Sequence, residues 1–155
     1  MNSSSIKWFS KNLDQDMEVV VYGERGKPVI VFPSQGGHAR DYEGFGMVHA
    51  VRQFVESGRV RLFCVSSIDN QSWANWDARP EQRALRHEDY DRYIVAEVYP
   101  FISSEYRGQQ VQCMTTGCSM GGYHAANFFF RHPDIFDCVI SLSGLFQLRM
   151  FIGDY

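Results

Sequence analysis

The stretch Thr115-Thr116-Gly117-Cys118-Ser119-Met120-Gly121-Gly122 decides how the rest of this chain is understood. It lies between an apolar run that ends at residue 114 and a stretch of helical character that continues to residue 131. This order predicts a β-strand, a tight turn and an α-helix, with Ser119 exposed in the turn. Gly117 and Gly121 lack Cβ atoms, so the chain can turn sharply and the helix can approach a neighbouring strand closely.

Ser119 occupies the position of a reactive hydroxyl in this arrangement. A Gly-x-Ser-x-Gly motif between a strand and a helix is typical of a nucleophile elbow, which raises the serine above the edge of the sheet. The helix that begins near Met120 directs its unpaired backbone N–H groups and its positive dipole end at the space beside Ser119. Negative charge develops in that space when a hydroxyl attacks a carbonyl carbon. The motif therefore predicts a nucleophilic serine beside part of an oxyanion site.

Apolar runs of strand length alternate with stretches of helical periodicity along the chain. Strands are predicted at residues 17–22, 29–32, 60–65, 111–114 and 138–142, and helices at 41–57, 87–106 and 120–131, the second of them kinked at Pro100. Such alternation predicts a mostly parallel sheet flanked by helices. The chain has 155 residues, of which 45% are hydrophobic, and we expect a single domain over residues 1–155 with a substantial core.

Composition and charge argue against several classes of function. A net charge of −3 without a run of basic residues gives no footprint for nucleic acid. The N-terminal residues lack a signal-peptide pattern and no stretch is apolar enough to span a membrane, so we expect a cytoplasmic protein without a membrane partner. The four cysteines lack the spacing of metal ligands, and we expect reduced thiols, no metal site and no cofactor.

The loop of residues 34–38 follows the strand predicted at 29–32. Ligands bind at the carboxyl ends of the strands in open α/β sheets, so this loop is expected to line the site. Ser34 and His38 are its candidate pocket residues. His38 could also face the serine as a base, although that would reverse the usual order of the catalytic residues; a place in the pocket wall or on the surface is the alternative.

Residues 66–86 form a connection that is long for a compact domain. Such connections are usually functional or carry a short helix of their own. Trp73 and Trp76 lie within it. These two side chains either form walls of the pocket or pack the loop onto the domain.

A serine hydrolase also needs a base and an acid, which in this architecture follow the serine in the order acid, then histidine. Two histidines follow Ser119. The side chain of His124 cannot turn back to the hydroxyl within its rotamers, and His132 lies roughly 18 Å along the same helix at 1.5 Å per residue. The triad acid and histidine are therefore expected outside this chain. We interpret the chain as the N-terminal portion of a longer hydrolase, nearly inactive in isolation.

Four stretches of the sequence carry a family resemblance: TGCSMGGYHA at residues 116–125, RHPDIF at 131–136, SLSG at 141–144 and, less specifically, VFPSQGG at 31–37. On these the chain resembles the esterase branch of the α/β-hydrolases that contains esterase D-like enzymes and mycolyltransferases. The resemblance implies an α/β-hydrolase fold, here incomplete at its C-terminal end. It implies Ser119 as the nucleophile, the Met120 N–H as one oxyanion donor and a second donor near Gln35. The family's aspartate and histidine would lie beyond Tyr155.

Three hypotheses about function follow. The first is a carboxylic-ester hydrolase that acts on a small-molecule ester through an acyl-serine intermediate. The second is a non-catalytic binding or assembly module, and the third is transfer of the acyl group to an acceptor other than water. Large apolar residues between positions 145 and 152 imply burial against something. We therefore expect the last sheet edge to pair with a missing C-terminal segment or with a second copy of the chain.

Overall fold

The computed structural model describes residues 3–147 and 149–152, so Leu148 of the apolar C-terminal stretch lies outside the described residues. It contains six strands: β1 (Ser3–Ser10), β2 (Gln15–Tyr22), β3 (Lys27–Phe32), β4 (Val60–Val65), β5 (Cys113–Cys118) and β6 (Phe136–Leu142). They form one sheet in the order β1-β2-β4-β3-β5-β6. The pairs β1–β2 and β2–β4 are antiparallel and the other three pairs are parallel. The sheet is therefore mixed but mostly parallel, which confirms the predicted class.

The first strand was not predicted from the sequence. β1 pairs with β2 along its whole length, from Ser3 opposite Tyr22 to Ser10 opposite Gln15. Serine is not among the residues enriched in strands. The serines at both ends mask a short alternation in which Ile6 and Trp8 pack against the core. Pairing with an adjacent strand stabilises this segment beyond its own propensity.

Helices cover both faces of the sheet. They are α1 (Asp41–Gly44), α2 (Met47–Ala50), α3 (Arg52–Glu56), α4 (Pro80–Tyr93), α5 (Tyr99–Glu105), α6 (Met120–Arg131) and α7 (Arg149–Ile152). The single helix predicted at 41–57 is wrong: three short helices occupy the segment, and Gly46 at φ 76° interrupts it. The helix predicted at 87–106 begins earlier, at Pro80, and contains a π-helical turn at Ile94–Val98, directly before Pro100. Proline has no N–H to donate, so a local change of helical pattern there is expected.

The core lies on both sides of β3 and β4. Along each strand, alternate side chains point to opposite faces of the sheet. On one face Ile30, Phe32 and Phe63 pack against α4, α5 and α6. On the other face Val31 and Leu62 pack against the segment that contains α2 and α3. The two strands are buried throughout their central residues, and they hold their carboxyl ends in a fixed position beside the end of β5.

Within residues 3–147 and 149–152, no helix is long and apolar enough to cross a membrane. The same residues include no cluster of three or more histidine, cysteine, aspartate or glutamate side chains arranged to hold a metal ion.

Candidate active site

Ser119 lies between the last residue of β5 and the first residue of α6. Its backbone has φ 58° and ψ −119°, a conformation that L-residues rarely adopt and that stores strain at functional sites. Its N–H donates to the Leu142 carbonyl oxygen at 2.9 Å, and its own carbonyl oxygen accepts from the N–H groups of Tyr123 and Leu145. The backbone is thus held on both sides while the residue itself is exposed. Its side chain therefore lies at the carboxyl edge of the sheet.

Two glycines make this turn possible through contacts between backbones. A Cβ atom on Gly117 would lie 2.4 Å from the backbone of Gly121. A Cβ atom on Gly121 would lie 2.4 Å from the carbonyl oxygens of Phe32 and Pro33, at the end of β3. Any side chain at these positions would push α6 away from β3 and β5. Both glycines therefore allow the close approach of α6 to the ends of β3 and β5.

Two backbone N–H groups follow the carboxyl ends of neighbouring strands, Gln35 after β3 and Met120 after β5. Met120 is the first residue of α6, where an N–H has no acceptor within its own helix. Gln35 is exposed in the turn after β3, a turn closed by a 2.9 Å hydrogen bond from the Gly37 N–H to the Ser34 carbonyl oxygen. The Gln35 N–H has no acceptor among the described residues. The Ser34 hydroxyl also donates to the Cys118 carbonyl oxygen at 3.4 Å, which ties this turn to the end of β5.

His38 forms its contacts inside its own turn. Its Nε2 lies 3.0 Å from Oδ1 of Asp41, and its Nδ1 accepts a hydrogen bond from the Arg40 N–H at 3.3 Å. The side chain is 69% exposed. Both ring nitrogens are thus engaged locally, and the structure gives His38 no contact with Ser119. This arrangement corresponds to the surface alternative considered for His38.

Trp73 and Trp76 differ in their environments. Trp73 is 7% exposed and packs with Met120 and Phe151, so it supports the start of α6 from below. Trp76 is 56% exposed and stacks on the Phe151 ring at 5.4 Å between centroids. The Arg83 guanidinium lies 5.1 Å from the centroid of the Trp76 ring. Trp73 thus packs the long connection onto the domain, whereas Trp76 has a face open to solvent.

A cavity of about 270 Å³ opens beside the end of β5. Ser34 and Cys118 line it next to the elbow, and most of its other lining residues are apolar: Phe32, Pro33, Tyr42, Phe45, Met47 and Leu142, together with Asp41. It places Ser34, one of the predicted pocket residues, in the wall of an apolar space at the carboxyl ends of the strands.

The sequence did not reveal the main polar contact of the site. His124, on α6, donates through Nε2 to Oδ1 of Asp69 at 2.8 Å, and both side chains are 1% exposed. Asp69 begins a short 3₁₀ helix inside the long connection. Its second oxygen, Oδ2, accepts from the Gly36 N–H at 3.1 Å and from the Ser67 hydroxyl at 2.7 Å. One buried carboxylate therefore joins the loop after β3 to the elbow helix.

The pKa of Asp69 reflects this environment. Burial by itself raises the pKa of the carboxyl, but the neighbouring His124 and the hydrogen bonds from His124, Ser67 and Gly36 outweigh it, and the pKa lies below its usual value. His87 stacks on His124 with ring centroids 5.4 Å apart. Burial, followed by the proximity of His124, lowers the pKa of His87 to about 3. Asp69 is thus ionised and His87 is neutral near pH 7.

Neither histidine that follows Ser119 contacts its hydroxyl. His124 is engaged with Asp69, and His132, at the far end of α6, lies 3.0 Å from both carboxylate oxygens of Asp91. Among the residues described, the Ser119 hydroxyl has no hydrogen-bond partner. The candidate site thus contains an exposed serine and two unpaired N–H groups, without a base beside them.

Comparison with known proteins agrees with this geometry. Residues 10–151 match a family described as "Putative esterase". Among solved structures, a ferulic acid esterase is 21% identical with a TM-score of 0.71, and the match covers 93% of this chain and 59% of that one. An S-formylglutathione hydrolase from Staphylococcus aureus is 17% identical with a TM-score of 0.68, covering 99% and 63%. MPT51 of Mycobacterium tuberculosis is 16% identical with a TM-score of 0.64, covering 88% and 48%.

No curated protein matches the chain. The chain spans about three-fifths of the length of the first esterase named above, since 59% of that protein is covered. Likeness at these identities shows the fold, and the family match shows membership over nearly the whole sequence. The resemblance proposed from the sequence motifs is confirmed. The chain belongs to this esterase family and has the mostly parallel sheet of an α/β-hydrolase.

Proposed function

We propose that the protein carrying this chain is a serine-dependent carboxylic-ester hydrolase, with Ser119 as its nucleophile. The observation that carries the proposal is the backbone of Ser119. A non-glycine residue at φ 58°, exposed between a buried strand and a helix N-terminus, is strained in a way that simple packing does not require. The family match supports ester hydrolysis as the reaction class.

In this proposal the Ser119 oxygen attacks the carbonyl carbon of the ester, and the C–O bond to the alcohol breaks as the acyl-serine forms. The Met120 and Gln35 N–H groups donate to the oxyanion of the tetrahedral intermediate. Water then attacks the acyl carbon and releases the acid. The small cavity beside Ser34 and Cys118 offers an apolar space for part of the substrate.

The base that accepts the hydroxyl proton is not supplied by any described residue. We place it, together with its acid, in a part of the protein outside this chain, in agreement with the 59% coverage of the ferulic acid esterase. The chain alone is then expected to retain at most a weak rate from its oxyanion donors, since such donors and binding alone sustain roughly 10³- to 10⁴-fold over water in a serine protease.

A fluorophosphonate probe tests the proposal because it phosphonylates activated serines. The complete protein should be labelled and should hydrolyse short acyl esters, and Ser119→Ala should lose both properties. Ser143→Ala is the matched control, because Ser143 is an exposed serine at positive φ in the neighbouring loop. Cys118→Ala excludes labelling at the adjacent thiol. Labelling that survives Ser119→Ala contradicts the proposal.

Acyl transfer to an alcohol uses the same serine and the same intermediate. Adding increasing concentrations of an alcohol to the reaction and measuring the ratio of ester to free acid distinguishes transfer from hydrolysis. A ratio that rises only in proportion to alcohol concentration, without saturation, favours hydrolysis. Saturation indicates an acceptor site.

The free edge of β6 favours an assembly role in addition. β6 ends the order of strands in the described sheet, and its Ile140 is 47% exposed. Unpaired apolar edges pair readily with other strands. We propose that a strand from elsewhere in the protein, or from a second copy, covers this edge. Light scattering of the isolated chain tests this, because a monodisperse monomer would count against pairing between copies.

A further inference from the structure

The loop that carries Gln35 is hydrogen-bonded to Asp69, a residue of the long connection at 66–86. The Gly36 N–H donates to Oδ2 of Asp69 at 3.1 Å. Gly36 has φ 66°, and a Cβ atom there would lie 2.9 Å from the side-chain oxygen of Asn70. The loop therefore contacts the turn that begins at Asp69 in two places, through the hydrogen bond to Asp69 and through the close approach of Gly36 to the Asn70 side chain.

The turn that begins at Asp69 is also bound to α6, the helix that follows the candidate nucleophile. Oδ1 of Asp69 accepts a hydrogen bond from the Nε2–H of His124. His124 lies on α6, little more than one helical turn beyond Ser119. The pair is buried, with both side chains 1% exposed. A buried charged group such as the Asp69 carboxylate is stabilising only when its geometry and hydrogen bonds are good, and apolar residues often serve stability equally well. A contribution to stability alone is therefore a weak explanation for the presence of a buried Asp69–His124 pair at this place in the fold.

We propose that Asp69 and His124 form a positioning pair that sets the Gln35 N–H at its working distance from Ser119. The inference rests on the proposed ester hydrolysis. The two oxyanion donors come from separate elements, Met120 from α6 and Gln35 from the loop after β3. Asp69 is hydrogen-bonded to both of those elements at once. Breaking the pair leaves each donor intact and changes the distance between them.

The expected effect is on the chemical step. Removing an oxyanion donor from an enzyme lowers kcat by about 10²- to 10³-fold. A displaced donor retains part of its effect, so His124→Asn and Asp69→Ala should lower kcat by about 10- to 100-fold, while KM changes by less than about 3-fold. Asp69→Asn keeps an oxygen that can accept from Gly36 and an amide that can meet His124. It should restore much of the activity lost in Asp69→Ala.

A matched control lies at the C-terminal end of the same helix. His132 pairs with Asp91 at 3.0 Å, at the opposite end of α6 from Ser119. His132→Asn removes a histidine–carboxylate contact of the same kind without touching the loop. Both substitutions are expected to lower thermal stability. Only His124→Asn should lower kcat.

A second readout does not depend on turnover. Hydrogen–deuterium exchange of the peptide that spans residues 34–38 should be faster in His124→Asn and Asp69→Ala than in the wild type and in His132→Asn. This measurement remains informative if Asp69→Ala folds poorly, because His124→Asn and Asp69→Asn make smaller changes.

The outcomes separate the two proposals. A wild-type protein without Ser119-dependent hydrolysis would refute the proposed function and this inference with it. An active wild type, with His124→Asn no slower than His132→Asn and with equal exchange in the 34–38 peptide, would refute the positioning role alone. A rise in KM without a fall in kcat would also overturn it.

Discussion

Gly117 faces Gly121 so closely that a Cβ atom on Gly117 would lie 2.4 Å from the Gly121 carbonyl carbon. No side chain fits between the end of β5 and the first turn of α6. We expect Gly117→Ala to force these elements apart and to lower the free energy of unfolding by about 1–3 kcal/mol or more, as overpacking does elsewhere. Chemical denaturation measures this change. Fluorophosphonate labelling of Ser119 should decrease in parallel.

Gly44 provides the control for this substitution. It lies in α1 with nothing within 4 Å of its Cβ position. Gly44→Ala should change stability by no more than about 1 kcal/mol, in the stabilising direction because alanine restricts the unfolded chain. Equal effects of the two alanine substitutions would show that the close approach at Gly117 is unimportant.

The strained backbone of Ser119 predicts an unusual stability change. Its φ of 58° costs a non-glycine residue about 1–3 kcal/mol, and glycine adopts such angles freely. Ser119→Gly should therefore raise the free energy of unfolding by about 1 kcal/mol relative to Ser119→Ala, although both abolish the nucleophile. Thermal denaturation of the two variants side by side is the measurement. A Ser119→Gly protein less stable than Ser119→Ala would argue against stored strain.

His87 makes stability depend on pH. Its pKa is lowered to about 3, first by burial and then by His124, from a usual value of 6.5. The unfolded chain therefore binds this proton at a higher pH than the folded protein does. As pH falls below about 6.5, the free energy of unfolding should decrease by up to about 1.4 kcal/mol per pH unit. Denaturation between pH 4.5 and 6.5 samples the upper part of this window and stays above the unperturbed carboxylate pKa values of about 3.9 and 4.3.

His87→Gln removes the titration and should flatten this dependence, while leaving a polar group near Asn127, whose Nδ2 lies 3.3 Å from Nε2 of His87. His38→Gln is the control, because His38 is 69% exposed and its contacts among the described residues lie within its own turn. The slope should persist in the control. An unchanged slope in His87→Gln would assign the pH dependence to other groups.

Glu97 anchors the β1–β2 hairpin to the helical layer. Its carboxylate accepts hydrogen bonds from the Trp8 indole at 2.8 Å, the Ser10 hydroxyl at 2.8 Å, and both the backbone and side-chain amides of Asn12 at 3.1 and 2.7 Å. Glu97→Ala leaves these donors without an acceptor and should lower the free energy of unfolding by about 2–4 kcal/mol, since lost bonds to a charged group cost about 1.5–3 kcal/mol each but overlap. Faster hydrogen exchange should appear in residues 3–12.

Glu56 provides the comparison for Glu97. It pairs with Arg52 on the surface of α3, with both side chains about half exposed. Surface pairs of this kind contribute about 0–1 kcal/mol. Glu56→Ala should therefore have little effect. Similar losses in Glu56→Ala and Glu97→Ala would contradict the anchoring role.

The sequence was most informative where apolar residues are continuous. β3 and β4 are covered on both faces, so their runs of valine, isoleucine, leucine and phenylalanine were recognisable without any partner. The elbow was equally clear, because its glycines satisfy local steric demands. β1 was missed because its stability comes from pairing with β2, and the break at Gly46 was missed because apolar spacing continues across it.

The candidate site was predicted only in part for the same physical reason. Ser119, Met120 and Gly121 are neighbours in sequence, and the roles proposed for them follow from one turn. Asp69 and His124 are 55 positions apart, and neither residue stands out in its own segment. An aspartate in a polar connection and a histidine on a helix can be recognised as a pair only when the fold is known, because the fold buries them together. Hydrophobic periodicity and short motifs do not predict contacts between residues so far apart in sequence.

The position of β3 in the sheet also has a consequence for the order of assembly. β3 lies between β4 and β5, and its residue Phe32 pairs with Gly117, which is synthesised 85 positions later. Closing so long a loop is slow compared with forming the neighbouring β1–β2 hairpin. During synthesis the edge of β3 that pairs with β5 therefore stays unpaired until β5 leaves the ribosome. The turn that exposes Ser119 is closed by the hydrogen bond from its N–H to Leu142 in β6, so it is completed only after most of the core residues have been synthesised.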